Sequence, residues 1–552
     1  MDNVRLIIAI VLSILVFVVW DYFFVPKQKI RQASQKPQAE QPVAKPEQIP
    51  LKEEVVVSTA PPQGVAPPQL ARPARIITVN TPLYAVKISE KGAEFRSFVL
   101  KEYKQNIAPD SPLYEMISPE MQSGTLRLGF AGKTFDGLRQ ALFATELVSE
   151  SVDVRDKAQK IAFTWRSANG FVIEKQFVFA PETYMIELNI TLQNGSNQPV
   201  RDNLFLSLLN KLPEKGSRIG FEGPCALLNN KVEQIKTKKI KDKNVYPGKL
   251  QWVAIQDRYF MSAIIPDQAD EASMRLFLRE NDVLENQHVQ PESVISPGGQ
   301  QTFKYRLFWG PKSMSILNKI GYDLNKAVNF GWFDFLAKPF VWIMNFLYKH
   351  FIANYGVAII LITLLSKIVL WPLGTKSYKS MAQMKKIQPL MTEIREKYGS
   401  DKKKMNEEMM ALYRTYKVNP LGGCLPMVVQ IPVFFALYRM LYEAIELRHA
   451  PFFGWITDLS APDRLFHFDV SIPFMQPPCG IPVLTIIMGA TMLLQQRMSP
   501  PPGDPAQAKM MMMMPIVFTV IFINFSSGLV LYWLVNNLLS IGQQYLVSKK
   551  TA

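Results

Sequence analysis

From Met510 to Val547 the chain runs 38 residues without one charged side chain. At about 1.5 Å per residue, a helix of that length is nearly twice the roughly 30 Å of a bilayer's hydrocarbon core. The tract therefore reads as two crossings, 512–526 and 527–547, with the turn at "NFSSG", Asn524 to Gly528.

Other apolar runs repeat the signal. "LIIAIVLSILVFVVWDYFFV" (Leu6 to Val25) is longer than the apolar stretch of a signal peptide and no small-residue cleavage site follows, so 1–25 reads as an uncleaved anchor. "VAIILITLLSKIVLWPL" (Val357 to Leu373), "PLGGCLPMVVQIPVFFALYRML" (Pro420 to Leu441) and Ile481 to Gln496 mark three more spans, at 355–373, 420–442 and 481–498. Residues 26–74, rich in Pro, Gln, Ala and Lys, are too poor in aromatics to order themselves and read as a tether.

The 75–310 stretch has a different period. "FVIEKQFVF" (Phe171 to Phe179) and "YMIELNITLQNGS" (Tyr184 to Ser196) alternate apolar and polar residues, the second closing on an Asn-Gly turn. Such runs, over more than 200 residues, predict an antiparallel β-sandwich of two large sheets. In 311–354, Phe333, Leu336, Phe340, Met344 and Leu347 recur at helical spacing among Asp334, Lys338, Asn345 and Lys349, which predicts a helix lying in the membrane interface.

Residues 374–419 predict a basic helical hairpin. Met381, Met384, Ile387, Met391, Ile394 and Tyr398 form one stripe, and Met405, Met409, Leu412 and Tyr416 a second, with a turn at Gly399 to Asp401 and a kink expected at Pro389. From Gly374 to Pro420 there are eleven Lys/Arg against five Asp/Glu; from Ile445 to Gly480 there are two against four. The positive-inside rule then makes the hairpin cytoplasmic, 443–480 periplasmic and 499–511 a cytoplasmic loop. Both termini, including the tail 548–552, fall in the cytoplasm and the β domain on the opposite side. The expected fold class is a multi-domain membrane protein: an all-α polytopic core of five transmembrane helices plus an N-terminal anchor helix, with a periplasmic all-β sandwich domain.

Lys367 sits inside one of these spans. A lysine near a bilayer midplane costs roughly 2.5–3.5 kcal/mol on insertion scales, so it should face protein or water. Thr363 lies one turn away on the same face, and Gln430, Gln495, Gln496, Asn524, Ser527, Asn536 and Asn537 add polar groups on other spans, which together favour a wet cavity. Snorkelling of Lys367, and amides that glue helices together, are the plainer explanations. Glu443 and Glu446 are the nearest acidic candidates to pair with Lys367, but they lie near the other end of their helix.

Enzyme chemistry finds little support. The four histidines form no HExxH, no phosphate loop occurs, and Cys225, Cys424 and Cys479 show neither CxxC spacing nor a disulfide framework. Adjacent Ser366 and Lys367 point in different directions on a helix. No catalytic residue, cofactor or metal is expected. A solute or ion transporter would also place a charge and amides in a cavity, although no repeated halves are visible; a periplasmic carbohydrate-binding protein is a further alternative that a glycan screen of 75–310 would discriminate.

"NPLGGCLPMVVQIPVFFALYRML" (Asn419 to Leu441), "MMPIVFTVIF" (Met513 to Phe522) and "SSGLVLYWLVNNL" (Ser526 to Leu538) closely resemble the YidC family of membrane protein insertases, and the order of parts matches along the whole chain. The resemblance implies a hydrophilic groove open to cytoplasm and lipid but sealed toward the periplasm. It implies that Lys367 stands where the family usually has arginine, that Thr363 is a groove threonine, and that Tyr532 and Trp533 match paired aromatics at the client contact; Gln430, a polar group within an apolar span, is added to the expected groove set. Because the tail "SKKTA" is short, the hairpin, through Lys385, Lys386, Lys402, Lys403 and Lys404, becomes the expected cytoplasmic contact. Implied partners are nascent membrane proteins, the Sec translocon, a ribosome or signal recognition particle receptor at the hairpin, and the bilayer, with no specific nucleic acid.

Overall fold

The computed structural model describes residues 72–551 except 133, 136, 212–219, 417, 419–424 and 500–504. The expected anchor, nearly all of the expected tether, and Cys424 lie outside the described residues.

The β region begins at Ile76 and ends at Pro311. It holds a twelve-stranded sheet and a five-stranded sheet, more unequal than two large ones. The alternating run Phe171–Phe179 is a strand with Ile173, Lys175, Phe177 and Phe179 on its buried face. It pairs with Met185–Asn194, after which the Asn194 side chain accepts from the Ser196 amide at 3.0 Å and turns the chain. By contrast Phe260–Pro266 is buried at every position, as its nearly unbroken apolar sequence requires.

Aromatic packing joins the sheets. Phe95, on a strand of the smaller sheet, meets Phe177 and Trp309 of the larger sheet at 5.4 Å between ring centroids, and Phe98 meets Trp309 at 5.9 Å. From Trp309 the buried core continues without a break into the helical region.

Nine helices follow among the described residues: α1 (Met314–Ile320), α2 (Asp334–His350), α3 (Tyr355–Lys386), α4 (Gln388–Tyr398), α5 (Lys402–Thr415), α6 (Leu425–Glu443), α7 (Val483–Met498), α8 (Pro505–Phe522) and α9 (Ser527–Thr551). Of these, α3 alone is long and apolar enough to cross a membrane; the apolar part of α8, Ala508–Phe522, is shorter. Asn354 caps α3, its side chain accepting from the Val357 amide at 3.1 Å. Helix α2 turns Ala337, Val341, Met344 and Leu347 toward α6 and α3 and leaves Trp332, Phe335 and Trp342 exposed beside it.

The helix bearing Lys367 does not end at Leu373. It runs unbroken past Pro372 to Lys386, carrying Met381 and Met384 with it. Pro372 removes one intrahelical donor, and the packing of α9 along the segment holds the helix together across it. The break falls instead at Ile387, and Pro389 occupies the first turn of α4, where proline's missing N–H costs nothing.

Helices α4 and α5 close on Ile387, Met391, Met409 and Val418, with Ile394, Met405 and Leu412 partly buried around them. Tyr416, placed in the stripe by its spacing, is half exposed because α5 has already ended. Asp401 accepts from the Lys403 and Lys404 amides at 3.1 Å and so caps α5 at the hairpin tip.

Candidate functional site: a polar column between α3, α6 and α9

Tyr532, Asn536, Ser540 and Gln543 follow one another on α9 at steps of four, four and three, so they share one helical face. That face meets α3 and α6. Asn536 Oδ1 accepts from Gln430 Nε2 at 2.9 Å, and Gln430 also hydrogen-bonds the Tyr532 hydroxyl. One turn further along α9, Lys367 Nζ donates to Ser540 Oγ at 2.6 Å, while Ser540 Oγ donates to the Asn536 carbonyl at 2.7 Å. Below this, Gln543 Nε2 donates to the Trp371 carbonyl at 2.8 Å and to Thr375 Oγ1 at 3.2 Å. Gly374 allows that approach, since a Cβ there would stand 2.8 Å from Gln543 Oε1.

Lys367 is half buried, and no carboxylate pairs with it among the described residues. Glu443 instead pairs with Arg439 at 2.7 Å, and Glu446 accepts from Ser313 Oγ at 3.0 Å. The lysine thus presents a cation held by one neutral hydroxyl, in surroundings far less polar than water. Such a charge attracts any carboxylate that reaches it more strongly than a surface lysine does.

The structure brings Lys367, Gln430 and Tyr532 onto this column. Thr363 is buried, with its hydroxyl donating to the Ile359 carbonyl of its own helix at 2.7 Å. Trp533 turns from the column into an aromatic cluster, with ring centroids 4.8 Å from Phe434 and 5.2 Å from Phe522, and its indole N–H has no partner among the described residues. Asn537 faces α7, donating to Thr491 Oγ1 at 3.4 Å. Asn524 and Ser527 serve the connecting loops: Asn524 Nδ2 donates to the Phe474 carbonyl at 2.6 Å and Ser527 Oγ to the Asp458 carbonyl at 2.7 Å. A cavity role for those two is not what the contacts describe.

Ser540 and Gln543 were not singled out in the sequence. Their signal was the step pattern from Tyr532 onward, four polar side chains on one face of a charge-free run.

The five hairpin lysines form two groups. Lys385 and Lys386 sit at the base where α3 ends, and Lys402, Lys403 and Lys404 sit at the tip; all five are exposed. The 11 residues of α4 separate the groups by about 16 Å of helical rise.

A β domain continuous with a helical region that holds one helix long and apolar enough to cross a membrane is the class of fold seen here. Residues 76–343 match the family model of the YidC periplasmic domain and residues 346–552 that of the 60Kd inner membrane protein. The chain is 40% identical over 569 residues to the membrane protein insertase YidC of Syntrophobacter fumaroxidans (strain DSM 10017 / MPOB), covering 99% of both chains. It is 41% identical over 478 residues to that of Syntrophus aciditrophicus (strain SB), covering 86% of this chain and 85% of the relative. A crystal structure of an active YidC insertase with its first transmembrane domain resolved overlaps 86% of this chain and 94% of its own at 19% identity and a TM-score of 0.37. The chain belongs to the YidC family of inner-membrane proteins with a periplasmic domain.

Proposed function

We propose that the protein is a membrane protein insertase and chaperone, integrating client proteins into the bacterial inner membrane through the polar column of α3, α6 and α9. The observation that carries this reading is Lys367: a half-buried cation with a neutral hydroxyl partner, on the helix best suited to cross a membrane. A client's acidic segment would exchange water for Lys367 and the amides beside it, which shortens the apolar path it must cross. Transfer of the client's own apolar helix into lipid supplies the driving force, and the membrane potential adds about 2.3 kcal/mol per charge per 100 mV for acidic tails moving outward.

The reading includes five core spans, at 355–373, 420–442, 481–498, 512–526 and 527–547, after an anchor at 1–25, with both termini cytoplasmic. Thr363 and Trp533 shape the groove wall from behind. The Sec translocon is a partner for larger clients. The hairpin meets the ribosome or the signal recognition particle receptor, a reading that the exposure of Lys385, Lys386, Lys402, Lys403 and Lys404 supports.

The test is insertion of a single-span client with an acidic N-terminal tail, in cells depleted of their own insertase and complemented with this protein. At equal protein levels, Lys367→Arg is expected to insert as the wild type does, and Lys367→Ala and Lys367→Glu at a tenth of that rate or less, a loss of about 1.4 kcal/mol or more. Equal insertion by all four proteins would remove the charge from the mechanism.

A further inference from the structure

We propose that the cleft between α1 and α2 binds one anionic phospholipid, with an acyl chain lying along Val341 and Trp342 and the phosphate held at Lys349. The cleft encloses about 280 Å³, and Met314 and Asn318 of α1 face Val341, Trp342, Phe346 and Lys349 of α2 across it. That volume, at the lower edge of the roughly 300–1,000 Å³ of small-ligand pockets, suits part of one lipid rather than a folded partner.

The walls call for an apolar occupant. Trp342 is two-thirds exposed and stacks on Phe346 at 5.6 Å between centroids, and Phe346 stacks on His350 at 4.4 Å. The mouth calls for an anion. Of the two lysines lining the cleft, Lys338 already engages Asp334 at 2.7 Å, and Lys349 makes no ion pair among the described residues. His350 Nδ1, also at the lining, lies 3.0 Å from the Phe346 carbonyl. Free phosphate would leave the aromatic walls in water, and a neutral lipid would leave Lys349 unmatched. One molecule with both characters satisfies both. Exposed Trp332, Phe335 and Phe351 add further apolar surface around α2, of the kind that partitions to a membrane interface.

The experiment uses the full chain in detergent, incubated with phosphatidylglycerol or phosphatidylcholine and read by native mass spectrometry. The wild type is expected to retain one phosphatidylglycerol with about tenfold preference over phosphatidylcholine. Lys349→Glu should reduce the preference to twofold or less. Asn318→Trp, at an exposed position, should fill the cleft and abolish retention of either lipid without lowering the melting temperature, and Ser315→Phe repeats the block from a second exposed position. Soluble glycerol phosphate in excess should not displace the lipid. Retention unchanged in both filling variants, equal retention of the two lipids by the wild type, or displacement by glycerol phosphate would each overturn the proposal. The readout is lipid retention, so its failure leaves the insertion reading standing.

Discussion

Lys175 stands on the buried face of its strand, with Nζ donating to the carbonyls of Gly92 at 2.8 Å and of Ala93 and Leu126 at 3.3 Å. Ala93 and Leu126 both hold left-handed backbone, at φ 45° and 65°, which a residue with a Cβ adopts at a cost. The ammonium ties down two such turns at once. Burial pushes the Lys175 pKa down to about 8. Between about pH 8 and 10.5 the unfolded chain binds the proton that the folded chain has released, so stability rises with pH across that window and the full burial cost applies below it. The gain is about 3 kcal/mol at most. Thermal melts of the β domain should show that slope in the wild type and lose it in Lys175→Met, whose baseline stability should also fall, because three carbonyls lose their donor.

His288 gives the same sign in an acid window. Its ring is fully buried edge-on to Tyr305, both nitrogens lack partners among the described residues, and burial lowers its pKa to about 4. Stability is therefore lost as pH falls from 6.5 toward 4, and melts of His288→Leu should fall less steeply over that range. The inward direction of Lys175 was legible in the alternation of "FVIEKQFVF"; its acceptors, 83, 82 and 49 residues away, were not. Period two tells which face a side chain takes and nothing about what the other sheet brings to it.

Among the elements, α7 and α8 cross at Gly489, where an added Cβ would run into the Thr519 hydroxyl. Gly489→Leu should force the pair apart and lower the melting temperature of the detergent-solubilised protein by several degrees, on the scale of the 1–3 kcal/mol typical of overpacking, with Gly489→Ala between the two. Element existence was readable because long apolar runs and the Met stripes have strong periods. The end of α3 was misplaced because hydrophobicity stops near Leu373 while the helix does not: "GTKSYKSMAQMKK" contains no proline, and α9 packs along α3. Solubility in lipid and helicity are separate properties, and only the first changes there. Likewise Lys367 and Gln430 were recognisable as polar groups in apolar runs, whereas the hydroxyl of Ser540 acquires meaning only once α3 lies against it.

Across the whole molecule, two arginines join the β domain to the helical region. Arg258 Nε donates to the Tyr442 carbonyl at 2.7 Å with its guanidinium 3.7 Å from the Tyr442 ring, and Arg448 donates to the carbonyls of Lys104 at 2.6 Å and Gln105 at 3.1 Å while lying 5.2 Å from the Tyr114 ring. Planar guanidinium groups stack and donate together, which lysine would not do. The double variant Arg258→Ala and Arg448→Ala should leave each part folded but expose the segment between Pro311 and Asp334 to limited proteolysis, with cleavage at least about tenfold faster than in the wild type. Unchanged cleavage would mean that the continuous apolar core suffices to fix the two parts.

Helix α3 has 32 residues and so is about 48 Å long, roughly 18 Å more than the hydrocarbon it would cross. Mechanically it is a single shaft, with the basic hairpin as its handle and Lys367 partway along it. The first break in the shaft comes only at Ile387, beyond Gln543's grip on Trp371 and Thr375. The hairpin and Lys367 therefore sit on one continuous helix, so any turn of α3 about its axis would move both and break the 2.6 Å contact between Lys367 Nζ and Ser540 Oγ.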